Sequence, residues 1–270
     1  MKKPLLLLCA LSVGAYSLVP FLWFVLTSWK SPAQITAIPP EIVPAFHWGF
    51  YRSALKTYGL LGYVRNSLIV AGVTTCLSIA IGALAAYALT RFHSGWLRLY
   101  LLLLLSVSMF PQIALAGPVW RILDSLGWLN TYQGIIAAYI SLTLPLAIWI
   151  LGTFFKELPY EVEEAALIDG CTRLQALRKV VLPLAAPGIF TAAILVFIFA
   201  WNEFFFALIV LTSPGLQTLP VGIALFPGEY TMPWGELAAA STMATLPLIV
   251  LTLFFQRRIV RGLSAGAVKG

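Results

Sequence analysis

The sequence contains several runs of about 20 apolar residues, the length that an α-helix needs to cross the hydrocarbon core of a membrane. Of its 270 residues, 60% are hydrophobic and 10% are charged, whereas about a quarter of the residues in a soluble domain are charged. We therefore expect an all-α integral membrane protein with one domain over residues 1–270. Six transmembrane helices are predicted, at residues 5–27, 67–89, 99–120, 134–155, 188–211 and 237–255.

Several of these runs contain proline. The third predicted span contains Pro111 and Pro118, the fourth contains Pro145, and the sixth contains Pro247. Proline is tolerated in a transmembrane helix when neighbouring helices satisfy the backbone groups that it frees. The prolines therefore indicate that the spans pack together as a bundle.

Positive charge is distributed unevenly over the predicted loops, and cytoplasmic loops carry an excess of Lys and Arg. The richer side carries Lys2, Lys3, Arg91, Arg98, Lys156, Arg173, Arg178, Lys179, Arg257, Arg258, Arg261 and Lys269. The poorer side carries Lys30, Arg52, Lys56, Arg65 and Arg121. Both termini, the loop 156–187 and the tail 257–270 are therefore predicted to be cytoplasmic. The first apolar run is too long for a cleaved signal peptide, so we expect it to remain as a span.

The residue content argues against catalysis by this chain. It contains three cysteines and two histidines, without metal-ligand spacing, so no metal site or catalytic residue is predicted. The phosphate-binding pattern G-x-x-x-x-G-K-[ST] is absent from the sequence. Any ATP that drives this protein would thus bind to another subunit. The basic residues are spread over several cytoplasmic pieces, so nucleic-acid binding is not expected.

The longest predicted external segment covers residues 28–62. Its first half is rich in proline and reads as an extended linker. Its second half is aromatic and mildly amphipathic. This half is interpreted either as a helix at the membrane interface, anchored by Trp48, Tyr51 and Tyr58, or as a docking surface for an external partner. The two interpretations are compatible.

Residues 163–188 form a charged stretch between two apolar runs. Pro159 and the acidic residues after it are typical of a helix start, and Gly170 is placed to end that helix in a left-handed conformation. Thr172 and Gln175 match the capping box of a second helix, which Pro183 would end. Two short helices about a glycine turn are therefore predicted.

The first of these helices is expected to expose Glu161, Glu163 and Glu164 beside Ala165 and Ala166. Small side chains permit close approach by another protein, and carboxylates form charge-assisted bonds with its Arg or Lys residues. The alternative is an amphipathic connector that lies on the membrane surface. Such helices are usually basic because the cytoplasmic leaflet is anionic, so the acidic sequence favours docking of a partner.

The order Glu164-Ala165-Ala166, Asp169-Gly170, nine residues, and Val180-Val181-Leu182-Pro183 resembles the EAA loop of binding-protein-dependent importers of the ATP-binding cassette class. Cys171, Leu177 and Val180 depart slightly from the family pattern. The resemblance implies a type I importer permease fold. It also implies that the loop contacts the ATPase subunit through a coupling helix, whose candidate residues are Glu163, Glu164, Ala165, Ala166, Asp169 and Gly170.

Two other segments are similar to permeases of sugar importers, specifically the MalG-like branch of the maltose-type family. They are the Trp201–Phe204 segment with Thr218–Gly222, and the glycine-rich tail. This resemblance implies that Ala267, Val268, Lys269 and Gly270 reach the ATPase subunits. The implied partners are a second homologous permease, an ATPase dimer that binds ATP and Mg²⁺, an external sugar-binding protein, the sugar and membrane lipid. No cofactor is expected on this chain, and the expected location is the inner membrane.

Glu203 lies deep inside the predicted fifth span, where a carboxylate must face protein or water. One interpretation places it on the translocation path with Gln112, Trp201 and Asn202. The other makes it a structural hydrogen-bonding group, and Trp201 a packing residue. Two rival functions also remain: import of a non-sugar solute by a permease of the same class, and transport driven by an ion gradient. The sugar itself, a disaccharide or related glucoside, is not identified.

Overall fold

The computed structural model describes residues 2–92, 99, 102–104, 106, 109–226 and 232–265, with side chains described between residues 4 and 256 of these ranges. Every regular element within them is helical, as predicted. The α-helices are α1 (Lys2–Ser28), α2 (Pro32–Ile35), α3 (Gly49–Lys56), α4 (Leu60–Arg91), α5 (Gln112–Ser125), α6 (Tyr132–Glu157), α7 (Tyr160–Ile168), α8 (Arg173–Ala176), α9 (Leu182–Leu184), α10 (Ala186–Asn202), α11 (Phe205–Val210), α12 (Leu219–Ala224) and α13 (Trp234–Ala265). A π-helical segment covers Leu177–Val181, and a 3₁₀ turn covers Pro214–Leu216.

Within the described ranges, four helices are long and apolar enough to cross a membrane: α1 from Pro4, α4, α6 and α13 as far as Gln256. A fifth candidate is a bent pair, in which Arg173–Leu184 meets α10 at 80°. The chain is therefore a multi-pass membrane protein, and its described part contains four or five such helices. The predicted count of six and the predicted orientation of the termini stay predictions.

The predicted third span, 99–120, is not one continuous helix. Residues 93–98, 100, 101, 105, 107 and 108 lie outside the described residues, but Met109 and Phe110 form a turn and a bend. Pro111 is the N-cap of α5, which has only 14 residues. Proline has no backbone N–H and restricts the residue before it to extended conformations. A helix boundary at Pro111 follows from both effects.

The predicted fifth span, 188–211, is also interrupted. Helix α10 ends at Asn202, Glu203 adopts extended dihedral angles, and α11 begins at Phe205. The sixth predicted span, by contrast, is part of a longer helix, because α13 continues from Trp234 to Ala265 and takes in much of the predicted tail.

The chain divides into two compact units. The first contains residues 1–64 and 221–249. Here Phe50 and Ala54 form the buried side of α3, and a Cβ at Gly235 would lie 2.4 Å from the Phe50 ring. Tyr58 and Phe226 stack with ring centroids 4.3 Å apart. The predicted anchors Trp48 and Tyr51 also contact each other, so aromatic residues of the predicted external segment form a local cluster.

The second unit contains residues 65–220 and 250–270, and its core lies between α4, α6 and α10. Helices α4 and α6 approach closely, because a Cβ at Gly82 would lie 3.1 Å from the Cβ of Ala147. The hydroxyls of Ser78 and Thr143 hydrogen bond across the same contact at 2.8 Å. Small residues and paired hydroxyls are the usual means by which helices associate in lipid.

The Asn66 end of α4 is joined to the segment after α11. The Asn66 amide donates to the carbonyl oxygens of Gly215 and Gln217 at 3.0 and 2.9 Å and accepts from the Tyr132 hydroxyl at 2.7 Å. The Ser67 hydroxyl accepts the Leu219 N–H at 2.8 Å. Three parts of the second unit, α4, α6 and the segment before α12, are thereby held together at this end.

Candidate coupling and translocation sites

The predicted helix–turn–helix is present. Helix α7 follows the N-cap Pro159 and has Glu161 and Glu163 in its first turn. Gly170 has φ +87, a left-handed conformation that residues with a Cβ adopt only at a cost. Thr172 and Gln175 form the complete capping box predicted for the next helix. Local signals in the sequence thus predicted both ends of this turn.

The second helix differs from the prediction in its length and regularity. After α8 the chain forms the π-helical segment, then α9, and turns at Ala185 into α10. Pro183 lies within the first turn of α9 and does not end the helix. π-Helical segments occur often at functional sites. The connector into the membrane is therefore three short helical pieces with an 80° bend.

Helix α7 has one buried face and one exposed face. Glu163 is 5% exposed and Ala166 is 9% exposed, whereas Glu164, Ala165 and Asp169 are exposed. The prediction that all three glutamates are exposed is wrong for Glu163. Its position three residues before Ala166 places both on the side that packs against the rest of the second unit.

Glu163 is buried because it has charged and polar partners on α4. The Nε atom of Arg91 donates to its Oε2 at 2.6 Å, and the Tyr87 hydroxyl donates to its Oε1. The side chains of Arg91 and Glu163 are 2% and 6% exposed. The Arg91 guanidinium also lies 4.3 Å from the centre of the Tyr160 ring. The Tyr160 hydroxyl in turn donates to the carbonyl oxygen of Thr90 at 2.8 Å.

The exposed side of α7 combines acids, small residues and large apolar residues. We call it the docking face and define it as Val162, Glu164, Ala165, Ile168 and Asp169. Ile168 is 85% exposed and Val162 is 41% exposed. Contiguous exposed apolar residues rimmed by polar groups mark sites of interaction with other proteins. The docking face can therefore offer apolar contact and carboxylates to a basic partner.

A second candidate site is a cavity of about 410 Å³ at the break between α10 and α11. It contains three of the four residues predicted for the translocation path. Its walls are Gln112, Ile198, Phe199, Asn202, Glu203, Phe204 and Phe205. Trp201 is not among them, because its side chain is 2% exposed and stacks on Phe197 with centroids 5.7 Å apart. The packing interpretation of Trp201 agrees with this position.

The Glu203 carboxylate is satisfied by the backbone of the helix that follows it. It accepts the N–H groups of Phe206 and Ala207 at 2.8 and 3.2 Å, which caps the N-terminus of α11. Its backbone carbonyl accepts the Tyr139 hydroxyl at 3.3 Å. The geometry therefore agrees with the interpretation of Glu203 as a structural hydrogen-bonding group. Asn202 is exposed to the cavity, and its amide nitrogen donates to the carbonyl oxygen of Ile198 at 2.8 Å.

Sequence reasoning missed Tyr87 and Arg91. Arg91 was counted as a basic residue of a cytoplasmic loop, yet it is the last residue of α4 and is buried. The spacing of four residues between Tyr87 and Arg91 is a signal that could have placed both on one face of a helix. The predicted tail residues Ala267, Val268, Lys269 and Gly270 lie outside the described residues.

Residues 78–265 match the model of a family described as the binding-protein-dependent transport system inner membrane component. The chain belongs to this family. The match contains α7, the connector and the cavity residues of α10. The predicted resemblance and the predicted role as a non-catalytic permease of a transport system are thereby confirmed.

Curated relatives match the chain over nearly its whole length. It is 40% identical to the trehalose/maltose transport system permease protein MalG of Thermococcus litoralis, with 100% of this chain and 98% of the relative covered. It is 42% identical to the sulfoquinovosyl glycerol transport system permease protein SmoH of Agrobacterium fabrum, over 99% and 94%. It is 42% identical to the trehalose transport system permease protein SugB of Mycobacterium tuberculosis, over 96% and 94%.

A solved structure shares the fold. It is the crystal structure of a bacterial ABC transporter involved in the import of the acidic polysaccharide alginate. The TM-score is 0.80 at 22% identity, with 95% of this chain and 96% of that chain covered. At this identity the likeness supports the type I permease fold and no more.

Proposed function

We propose that this chain is one permease subunit of an ATP-driven sugar importer of the inner membrane. It pairs with a second, homologous permease, and two ATPase subunits bind the ATP and Mg²⁺ that drive transport. An external binding protein delivers the sugar. The docking face of α7 is the observation that carries this proposal, because its acids and exposed apolar side chains can bind a basic partner protein. The sequence has no phosphate-binding loop, so the energy of ATP must come from such a partner.

The coupling role belongs to the exposed members of the predicted set. Glu164 forms charge-assisted bonds to the ATPase, Ala165 allows close approach, and Ile168 adds apolar contact area. Gly170 sets the turn that keeps α7 apart from the connector. Closure of the two ATPase subunits on ATP would push α7, and the rigid-body shift would rock the second unit between its two access states.

The cavity beside the break supports a place for this chain on the translocation path. Gln112 and Asn202 supply amide groups, which both donate and accept hydrogen bonds. Phe199, Phe204 and Phe205 supply apolar walls. Binding sites for small molecules are mostly apolar, with a few polar groups placed to fix the ligand. The cavity has this composition and could bind the hydroxyls of a sugar.

The relatives support a sugar as the solute. The three described above are, by their names, permeases for trehalose/maltose, sulfoquinovosyl glycerol and trehalose. All three solutes contain a glycosidic linkage to a small polyol or second sugar. We therefore expect a disaccharide or glycoside of similar size as the solute of this chain.

Reconstitution of the complete complex tests the proposal. The chain is co-expressed with a candidate second permease and a candidate ATPase from the same genome, and placed in proteoliposomes with a candidate binding protein. ATP hydrolysis and uptake of labelled trehalose, maltose and glycerol glycosides are then measured. We expect one of these sugars to stimulate both. Sugar uptake by the chain without its ATPase would overturn the proposal.

Charge reversal tests the docking face within the same system. Glu164→Arg is expected to lower ATPase co-purification and sugar uptake by about tenfold, since it opposes the basic groups that the carboxylate contacts. Glu157→Arg is the matched control, because Glu157 is also exposed but ends α6, outside the docking face. Equal behaviour of the two variants would contradict the assignment of this face.

A further inference from the structure

The side-chain hydrogen bonds of α7 within the described part of the chain all end on one turn of α4. Glu163 bonds to Tyr87 and Arg91, and Tyr160 bonds to the carbonyl oxygen of Thr90. We call Tyr87, Arg91 and Glu163 the buried latch. The remaining polar side chains of α7, Glu161 and Glu164, are exposed. Helix α7 is therefore attached to a membrane-crossing helix by its inner face and free on its outer face.

The latch is a strong attachment because both charges are removed from water. A buried ion pair is costly to separate, since each partner would be left as an uncompensated charge in a medium of low polarity. Within the described residues, the two terminal nitrogens of Arg91 have no hydrogen-bond partner. Among the described residues, Glu163 is thus the one carboxylate that compensates the guanidinium. A small displacement between α7 and α4 therefore has a large electrostatic penalty.

Helix α4 extends from this attachment to the opposite end of the second unit. Asn66 lies 25 residues before Arg91 on this helix, which corresponds to about 38 Å at 1.5 Å per residue. Its other end carries Asn66 and Ser67, which hold the segment 215–219. That segment follows α11, whose N-terminus is capped by Glu203 at the cavity. A contiguous set of packed elements therefore joins α7 to the cavity.

We infer that the buried latch is the joint through which α7 moves α4, so that Tyr87, Arg91 and Glu163 are positioning residues for transport. This inference rests on the proposed function. The ATPase binds the docking face and displaces α7, and the latch obliges α4 to follow. Glu163 acts inside the permease, in contrast to Glu164 one residue later, which faces the ATPase.

The variants Glu163→Gln, Arg91→Gln and their combination test the joint in the reconstituted complex. We expect the ATPase to co-purify normally and to hydrolyse ATP, while sugar molecules transported per ATP fall about tenfold in each single variant. The double variant is expected to fall no further, because either change alone breaks the same pair. Glu157→Gln makes the same acid-to-amide change at an exposed site and is expected to leave the ratio unchanged.

A distance measurement separates a joint from general loss of structure. The native residues Cys9, Cys76 and Cys171 are replaced by serine, and spin labels are attached to cysteines at Glu161 and Leu84, which are exposed and lie outside the docking face. With an intact latch, we expect the distance between the labels to stay narrow when ATP is added. In Glu163→Gln the distribution is expected to broaden, because α7 then moves without α4.

Three results would overturn the inference. The first is a ratio of sugar to ATP in Glu163→Gln that equals the wild-type ratio. The second is loss of ATPase co-purification in Glu163→Gln but not in Glu157→Gln. The third is a distribution of label distances in Glu163→Gln that is as narrow as in the protein with an intact latch. If Glu163→Gln and Arg91→Gln fail to insert into the membrane, Tyr87→Phe is used instead. It removes one hydrogen-bond donor from the latch and is also expected to lower the ratio of sugar transported to ATP hydrolysed. A wild-type complex that transports no sugar would instead contradict the proposed function, which keeps the two failures distinct.

Discussion

Glu203 illustrates how a carboxylate can be buried at a break between two apolar helices with no ion pair among the described residues. Its two oxygens accept the N–H groups of Phe206 and Ala207, which are orphan donors at the start of α11. Because the carboxylate is used in this way, it is a poorer candidate for binding a solute than Asn202 beside it. The sequence predicted that Glu203 must face protein or water, but the Trp-Asn-Glu-Phe segment contains no Gly or Pro that would signal the break.

Substitution at Glu203 and Asn202 should separate stability from transport. Glu203→Ala removes the cap of α11, and we expect it to lower the free energy of unfolding by about 1–2 kcal/mol. Asn202→Ala is expected to leave stability nearly unchanged and to raise the sugar concentration needed for half-maximal uptake. Thermal unfolding in detergent and uptake by proteoliposomes measure the two effects. A stable Glu203→Ala protein would refute the capping role.

Gly170 supports a second prediction at the level of single residues. A Cβ there would contact nothing within 4 Å, but φ is +87. Gly170→Ala is therefore expected to cost about 1–2 kcal/mol from backbone strain alone and to weaken ATPase co-purification. Gly215→Ala is the control, because a Cβ at Gly215 would also contact nothing within 4 Å, and Gly215 is not one of the described glycines with a positive φ. The prediction fails if both alanine variants unfold at the same temperature.

Local signals explain which residues of the coupling loop could be predicted. The capping box of Thr172 and the left-handed turn at Gly170 depend on neighbours within a few positions. The burial of Glu163 depends on Arg91, which lies 72 positions earlier. No pattern within α7 indicates which of its acids will meet that guanidinium, and so its orientation required the tertiary structure.

At the level of helices, α4 and α6 were predicted well because their apolar runs are long and uninterrupted. The third and fifth predicted spans were each predicted as one continuous helix, and both are interrupted, for two different reasons. Pro111 was predicted to be tolerated within a helix but is instead the N-cap of α5. The break after Asn202 is stabilised by capping and by the Tyr139 hydroxyl, a contact from another helix that hydropathy does not reveal.

The contact between α4 and α6 allows a test with a control on the same helix. Gly82→Leu would force the helices apart, since even a Cβ lies 3.1 Å from Ala147, and overpacking of this kind costs about 1–3 kcal/mol. Gly72→Leu places the same side chain where nothing lies within 4 Å. We expect only Gly82→Leu to lower the unfolding temperature in detergent. Similar losses in the two variants would argue against close packing at Gly82.

For the whole molecule, the positive charge predicts which regions share a side of the membrane. The 28–62 segment should be external and α7 cytoplasmic. With the native cysteines replaced, Ile38→Cys and Ile168→Cys provide reporters that are 96% and 85% exposed in the native residues. In intact cells, an impermeant thiol reagent is expected to label position 38 only. In inverted vesicles it should label position 168 only, and labelling of both in intact cells would contradict the orientation.

The break between α10 and α11 has a chemical consequence for any solute beside it. A helix that ends leaves its last four carbonyl oxygens without intrahelical partners, and a helix that begins leaves four N–H groups. Glu203 occupies two of the N–H groups, while Ile198, Phe199 and Asn202 of the last turn of α10 line the cavity. A sugar hydroxyl both donates and accepts hydrogen bonds. An interrupted helix provides the backbone counterpart of that dual character, while Glu203, the ionisable group in the cavity wall, already accepts two backbone N–H groups.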